Sequence, residues 1–125
     1  NAPTRGTRVM MYHDVNKDNR VDDIYSVPLT SFYRGVSAVA AWARGHRHRF
    51  VTFSAACTPG IAVTFDDGYR DNLTIALPIL KKYKTPATIF LSVEAIEKEE
   101  KLWFDVIQAA FKQTKKMHFI LQKEF

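Results

Sequence analysis

The chain carries a single cysteine, Cys57, which has no partner within the chain, so this is not a disulfide scaffold. It contains no run of about 18 apolar residues, which excludes a membrane-spanning helix. The first residues, Asn-Ala-Pro-Thr-Arg, are polar and lack the apolar region of a signal peptide. Internal repeats and low-complexity linkers are absent, so one folding unit is expected over residues 1–125. What is present is globular: 46% hydrophobic and 25% charged residues exclude a disordered chain.

Lys and Arg number 18 against 13 Asp and Glu, a net charge of +5. The excess is partly local. Arg44, Arg47 and Arg49 flank His46 and His48, and Lys112, Lys115 and Lys116 close a later segment. Such patches can meet nucleic acid or an acidic polymer. The plainer reading is a solvated loop and a helix C-terminus, where cations suit the helix dipole. Nucleic acid is not expected, since no recognised motif or stacking platform accompanies the charge.

Val9–Tyr12 is a short apolar run that reads as a buried strand ending at His13-Asp14. A helix is expected from Ser31 as N-cap to Gly45, with Phe32, Val36, Val39, Ala40 and Ala43 on one face. Phe50–Phe53 reads as a strand, Thr58–Gly60 as a turn and Ile61–Phe65 as the clearest strand. The period then changes. Leu73, Ala76, Leu77, Leu80 and Tyr83 mark a helical face capped by Asp71 or Asn72, which Pro78 should kink or delay. Ala87–Val93 reads as a strand and Glu94–Lys101 as a charged connection. Trp103, Val106, Ile107, Ala110 and Phe111 predict a helix with a core face, and Met117–Leu121 a last strand. Alternating strands and helices imply an α/β fold with a parallel sheet, about half the content of a closed barrel of roughly 250 residues.

The informative segment is Thr64-Phe65-Asp66-Asp67-Gly68-Tyr69, where an apolar strand delivers two acids into a glycine turn. In α/β folds, ligands and catalytic groups collect at the C-terminal ends of parallel strands. Neighbouring residues on a strand face opposite ways, so both acids serve one site only if the strand ends between them. Gly68 permits that exit. One acid can then hold a cation while the other handles a proton. Two structural readings compete: Asp-Gly as a hairpin turn, and Asp67 as a helix cap. The helical period after Gly68 argues against the hairpin.

His13, at the end of the first strand, would share a barrel rim with Asp66, either as site support or as a hydrogen-bonded structural histidine. Tyr69 and Arg70 begin the turn after the acids and are candidates for site support. His46 and His48 are spaced to share a metal on a strand, but their Arg neighbours favour a solvated loop. Trp103 can stack on a sugar ring; its helical spacing favours core packing.

Ala62–Tyr69, Ala76–Tyr83 and Pro86–Leu91, with Met11-Tyr12-His13-Asp14-Val15 before and Leu102-Trp103-Phe104-Asp105 after, resemble the polysaccharide deacetylase family of carbohydrate esterases, in a bacterial branch. The likeness runs from about Val9 to Phe111. It implies a distorted (β/α) barrel, of which this chain would be the N-terminal portion, and metal-dependent hydrolysis of acetyl groups, chiefly N-acetyl, on a sugar polymer. It also implies Asp66 as general base and Asp67 as ligand of a divalent metal, usually zinc, with an acetylated polysaccharide or oligosaccharide as substrate. An extracytoplasmic or cell-envelope location is what the family favours. The family's other ligands are two histidines in a His-Ser/Thr-x-x-His motif, and His13, His46, His48 and His118 provide no such pair. A truncated catalytic domain with an incomplete metal site is therefore expected, inactive by itself and prone to self-association through open barrel edges. Two other readings stay open: a magnesium phosphotransferase, whose acids usually stand as Asp-x-Asp, and a catalytically silent carbohydrate-binding or interaction fragment.

Overall fold

The computed structural model describes residues 6–18, 25–53 and 59–115. Cys57, Thr58 of the expected turn, Lys116 and the expected strand Met117–Leu121 lie outside the described residues. The chain divides into two compact units between residues 92 and 93.

The first unit is built on a parallel sheet of three strands, β1 (Thr7–Tyr12), β4 (Gly60–Phe65) and β5 (Ala87–Ile89), in the order β1-β4-β5. Tyr12 pairs with Phe65, so the two longer strands end side by side. A second parallel pair joins β2 (Asp14–Asn16) to β3 (Ser26–Pro28). The central β4 is buried along its whole length, as an apolar parallel strand flanked on both sides must be. The described residues form open sheets and close no barrel.

β1 is not the buried strand that its apolar run suggests. It is an edge: Met10 and Tyr12 pack toward the core, while Val9 and Met11 are 46% and 60% exposed. The expected strand Phe50–Phe53 reduces to a bridge from Phe50 to Ile61. Val51 N–H donates to the Ile61 carbonyl at 2.9 Å, and Ile61 N–H to the Arg49 carbonyl at 3.0 Å. A Cβ at Gly60 would stand 2.8 Å from that Arg49 carbonyl, so only glycine allows this approach.

Helix α1 (Leu29–Gly45) buries Phe32, Val36, Ala40 and Ala43, the stripe its spacing predicts. It starts before Ser31. β3 runs straight into it, Pro28 takes the N-cap position at φ −54° and ψ 136°, and no side chain caps the first turn. Tyr12, Phe32 and Phe65 form an aromatic trio, with ring centroids 5.0 to 5.8 Å apart, that ties α1 to β1 and β4.

After Gly68 the chain enters a π-helical turn (Asn72–Ala76) and then α2 (Leu77–Lys82). Pro78 lies in the first turn of α2, where its missing N–H is least costly. The kink expected there is taken up by the wide π turn ahead of the proline ring, and Leu77 N–H reaches back to the Asn72 carbonyl. β5 is shorter than expected, although Phe90 N–H still donates to the Phe65 carbonyl at 2.8 Å.

The second unit contains α3 (Val93–Glu97) and α4 (Trp103–Gln113). α3 occupies part of the expected charged connection, stapled by Lys98 to Glu94 at 2.6 Å. α4 contains the expected helical stripe, but that stripe is not a core face: no α4 residue is buried and Trp103 is 72% exposed. Among the described residues of this unit no further layer covers it. Among the described residues, no helix is long and apolar enough to cross a membrane.

Candidate active site

β4 ends at Phe65, and Asp66 N–H donates to the Tyr12 carbonyl at 2.9 Å, the last bond tying this rim to β1. Asp67 and Gly68 then both adopt positive φ, +70° and +73°. Such a pair suits the hairpin turn that Asp-Gly suggests. Here the chain instead enters the π turn and α2, and with no returning strand after Gly68 the hairpin reading fails. The cap reading fails too, because Asp71, not Asp67, precedes the helical turn.

The turn swings Asp67 toward the end of β1. His13 Nδ1 lies 2.9 Å from Asp67 Oδ2, both side chains about one-fifth exposed. A carboxylate only accepts, so Nδ1 carries the proton and Nε2 is left for a second role. The Tyr25 ring meets the His13 ring edge-on at 5.3 Å and limits its rotation. The sequence places His13 and the acids on one rim, and the geometry brings His13 and Asp67 together. Arg70 is exposed, and its guanidinium bonds to neither acid. Tyr69 contributes its carbonyl, which accepts from Asn72 N–H at 3.1 Å.

Beneath this rim lies a polar cluster with little signal in the sequence. Asp71 does not cap the helical turn through its side chain; its Oδ1 accepts Val15 N–H from β2 at 3.0 Å. Asn72 is buried, and the amide orientation that satisfies both its groups donates to Asp71 Oδ1 at 3.1 Å and to the His13 carbonyl at 2.9 Å. Asp14 accepts from Ser26 Oγ and also hydrogen-bonds Asp71. Burial, then that bond to Asp14, pushes the Asp71 carboxyl up to about 7. The Val15 N–H bond to Asp71 holds β2 against the helical turn, and Asn72 passes that anchorage to the His13 backbone. Partners 56 residues apart leave no local pattern to find.

An oxygen donor at Asp67, with Asp66 beside it, suits a hard divalent cation. However, among the described residues no group of three His, Cys, Asp or Glu side chains is assembled to hold one. Measured against the three protein ligands of a catalytic zinc, these donors are an incomplete set.

A parallel α/β sheet with adjacent acids at the central strand's C-terminal end defines a class of hydrolytic and ligand-binding proteins, and sequence comparison narrows it. The sequence profile of the family described as Polysaccharide deacetylase matches residues 54–118, more than half of the chain, and the chain belongs to that family. YxkH of Bacillus subtilis (strain 168), named after the polysaccharide deacetylases, is 32% identical over 98 residues, 70% of this chain and 32% of its own length. This chain thus spans about a third of that relative. Among solved structures, IcaB from Ammonifex degensii aligns with a TM-score of 0.51 at 26% identity, over 70% of this chain and 38% of that one. The Streptococcus pyogenes deacetylase PplD, solved in complex with acetate, aligns with a TM-score of 0.58 at 18% identity. It covers 86% of this chain and 52% of PplD, a likeness of fold.

Proposed function

We propose that the protein hydrolyses acetyl groups, chiefly N-acetyl, from a polysaccharide or amino-sugar polymer, as part of a distorted (β/α) barrel. The observation that carries this reading is the rim itself: Asp66 and Asp67 leave the central strand together and Asp67 is turned onto His13. Asp66 acts as general base. Its carboxylate makes no hydrogen bond to another described side chain, so a water can reach it. Asp66 takes a proton from that water as its oxygen adds to the acetyl carbonyl. The carbon–nitrogen bond then breaks, the proton passes to the nitrogen, and acetate and a free amine result. Asp67, oriented by His13, is the ligand for a divalent ion, zinc by family resemblance, which when bound polarises the acetyl carbonyl. The proton transfers rest on the chain's own Asp66.

The test is acetate release from N-acetylated glucosamine oligomers by the protein carrying this sequence, with Asp66→Asn and Asp67→Ala beside it. Loss of a general base should lower the rate by about 10² to 10⁴. Release unchanged in both variants would overturn the assignment. Acyl-phosphate trapped on Asp66 would favour phosphoryl transfer instead.

A further inference from the structure

Between Asp23 and Asp66 the sequence contains no Asp or Glu; the charged residues there are Arg34, Arg44, Arg47 and Arg49. The fold concentrates this one-signed stretch around Trp42, near the C-terminal end of α1. Arg8 reaches over from β1 and places its guanidinium 5.7 Å from the indole centroid. His46 stacks on the same indole at 4.7 Å and His48 at 4.9 Å. Arg44, Arg47 and Arg49 are exposed beside them.

A cationic helix end would be unremarkable if the arginines served to neutralise the last carbonyls. They do not. The Trp42 carbonyl is taken by His46 through both its backbone N–H at 3.0 Å and its Nδ1 at 2.9 Å, and the Ala43 carbonyl accepts His48 N–H at 2.9 Å. Because a carbonyl only accepts, His46 Nδ1 is the donor in this bond. No acid faces the histidines from their own stretch of chain, and Arg8 faces them from β1. The patch is also remote from the rim. Arg8 pairs with Ile61 at the start of β4, about 16 Å along the strand from Asp66.

We propose that Arg44, Arg47 and Arg49, set around the His-stacked Trp42, form a docking surface for an anionic polysaccharide. Arginine forks suit carboxylate, phosphate and sulfate groups. Two imidazoles and a guanidinium contact the indole, which stays 38% exposed. The choice of a polysaccharide over other polyanions rests on the deacetylase reading; the anion-binding surface itself does not.

Heparin, a sulfated polysaccharide, is the probe, with affinity read by fluorescence anisotropy across a salt series. The triple variant R44Q/R47Q/R49Q should weaken binding about tenfold or more, whereas K98Q/K101Q/K112Q, with the same charge loss, should change it less than about twofold. A lysine triple at the same three arginines keeps the charge and should retain most of the affinity. Equal weakening by both glutamine triples would show a net-charge effect only and overturn the site. Tighter binding of a DNA duplex or of anionic phospholipid vesicles at matched salt would overturn the choice of polymer. Acetate release from short oligomers should be unchanged in the arginine variants, so the docking surface can fail while the deacetylase reading stands.

Discussion

Asp71 shows how one side chain can matter without touching the chemistry. Its carboxyl sits at about 7 against an ordinary 3.8, because burial and Asp14 both disfavour a second charge. The folded state therefore keeps a proton that the unfolded chain loses above about pH 4. This group's stabilisation is fully present below that value, falls as pH rises, and is gone above about pH 7. Asp71→Asn, which mimics the protonated acid, should melt higher than the parent at pH 8 and differ little at pH 4; thermal denaturation at both values checks this. His13→Ala should remove the partner that orients Asp67 and lower acetate release, while His13→Asn should rescue part of it. At this scale the sequence is informative where residues are contiguous. Asp66, Asp67 and Gly68 announce themselves, whereas Asp14, Tyr25, Asp71 and Asn72 acquire meaning only once strands far apart in sequence are side by side.

Elements show the same division between local and non-local causes. Apolar spacing determines the buried face of α1 and the whole of β4, since each depends on a pattern inside the element. The start of α1 was not legible, because a preceding β3 strand and Pro28 displace the side-chain cap that Ser31 suggests. The exposure of β1 was not legible either, because it depends on what lies beside the strand. The turn at Gly68 makes an element-scale prediction. A Cβ there would lie 2.6 Å from Leu91 Cδ2 at a φ of +73°. Gly68→Ala should cost about 1–2 kcal/mol, and denaturant unfolding should show the loss, with the rim displaced as Leu91 shifts.

As a whole, the first unit relies on few large buried side chains, so truncating one should be felt throughout. Phe32→Ala, which removes the centre of the aromatic trio, should cost about 3–5 kcal/mol in unfolding free energy, enough to leave a small domain largely unfolded near body temperature. The open sheet has β1 and β5 as edges, and Met11, Ile89, Phe90 and Leu91 are exposed on it. Sedimentation velocity should accordingly show association that grows with protein concentration. Calorimetric titration should detect no saturable one-to-one zinc binding at micromolar metal; tight binding abolished by Asp67→Ala would overturn the incomplete-donor account. The left-handed backbone at Asp67 is a conformation that glycine and asparagine tolerate better than aspartate. A variant library screened for heat resistance alone should therefore drift toward Gly or Asn at this position. The survivors would be sturdier proteins that had traded away the carboxylate we propose as the ligand of a divalent ion.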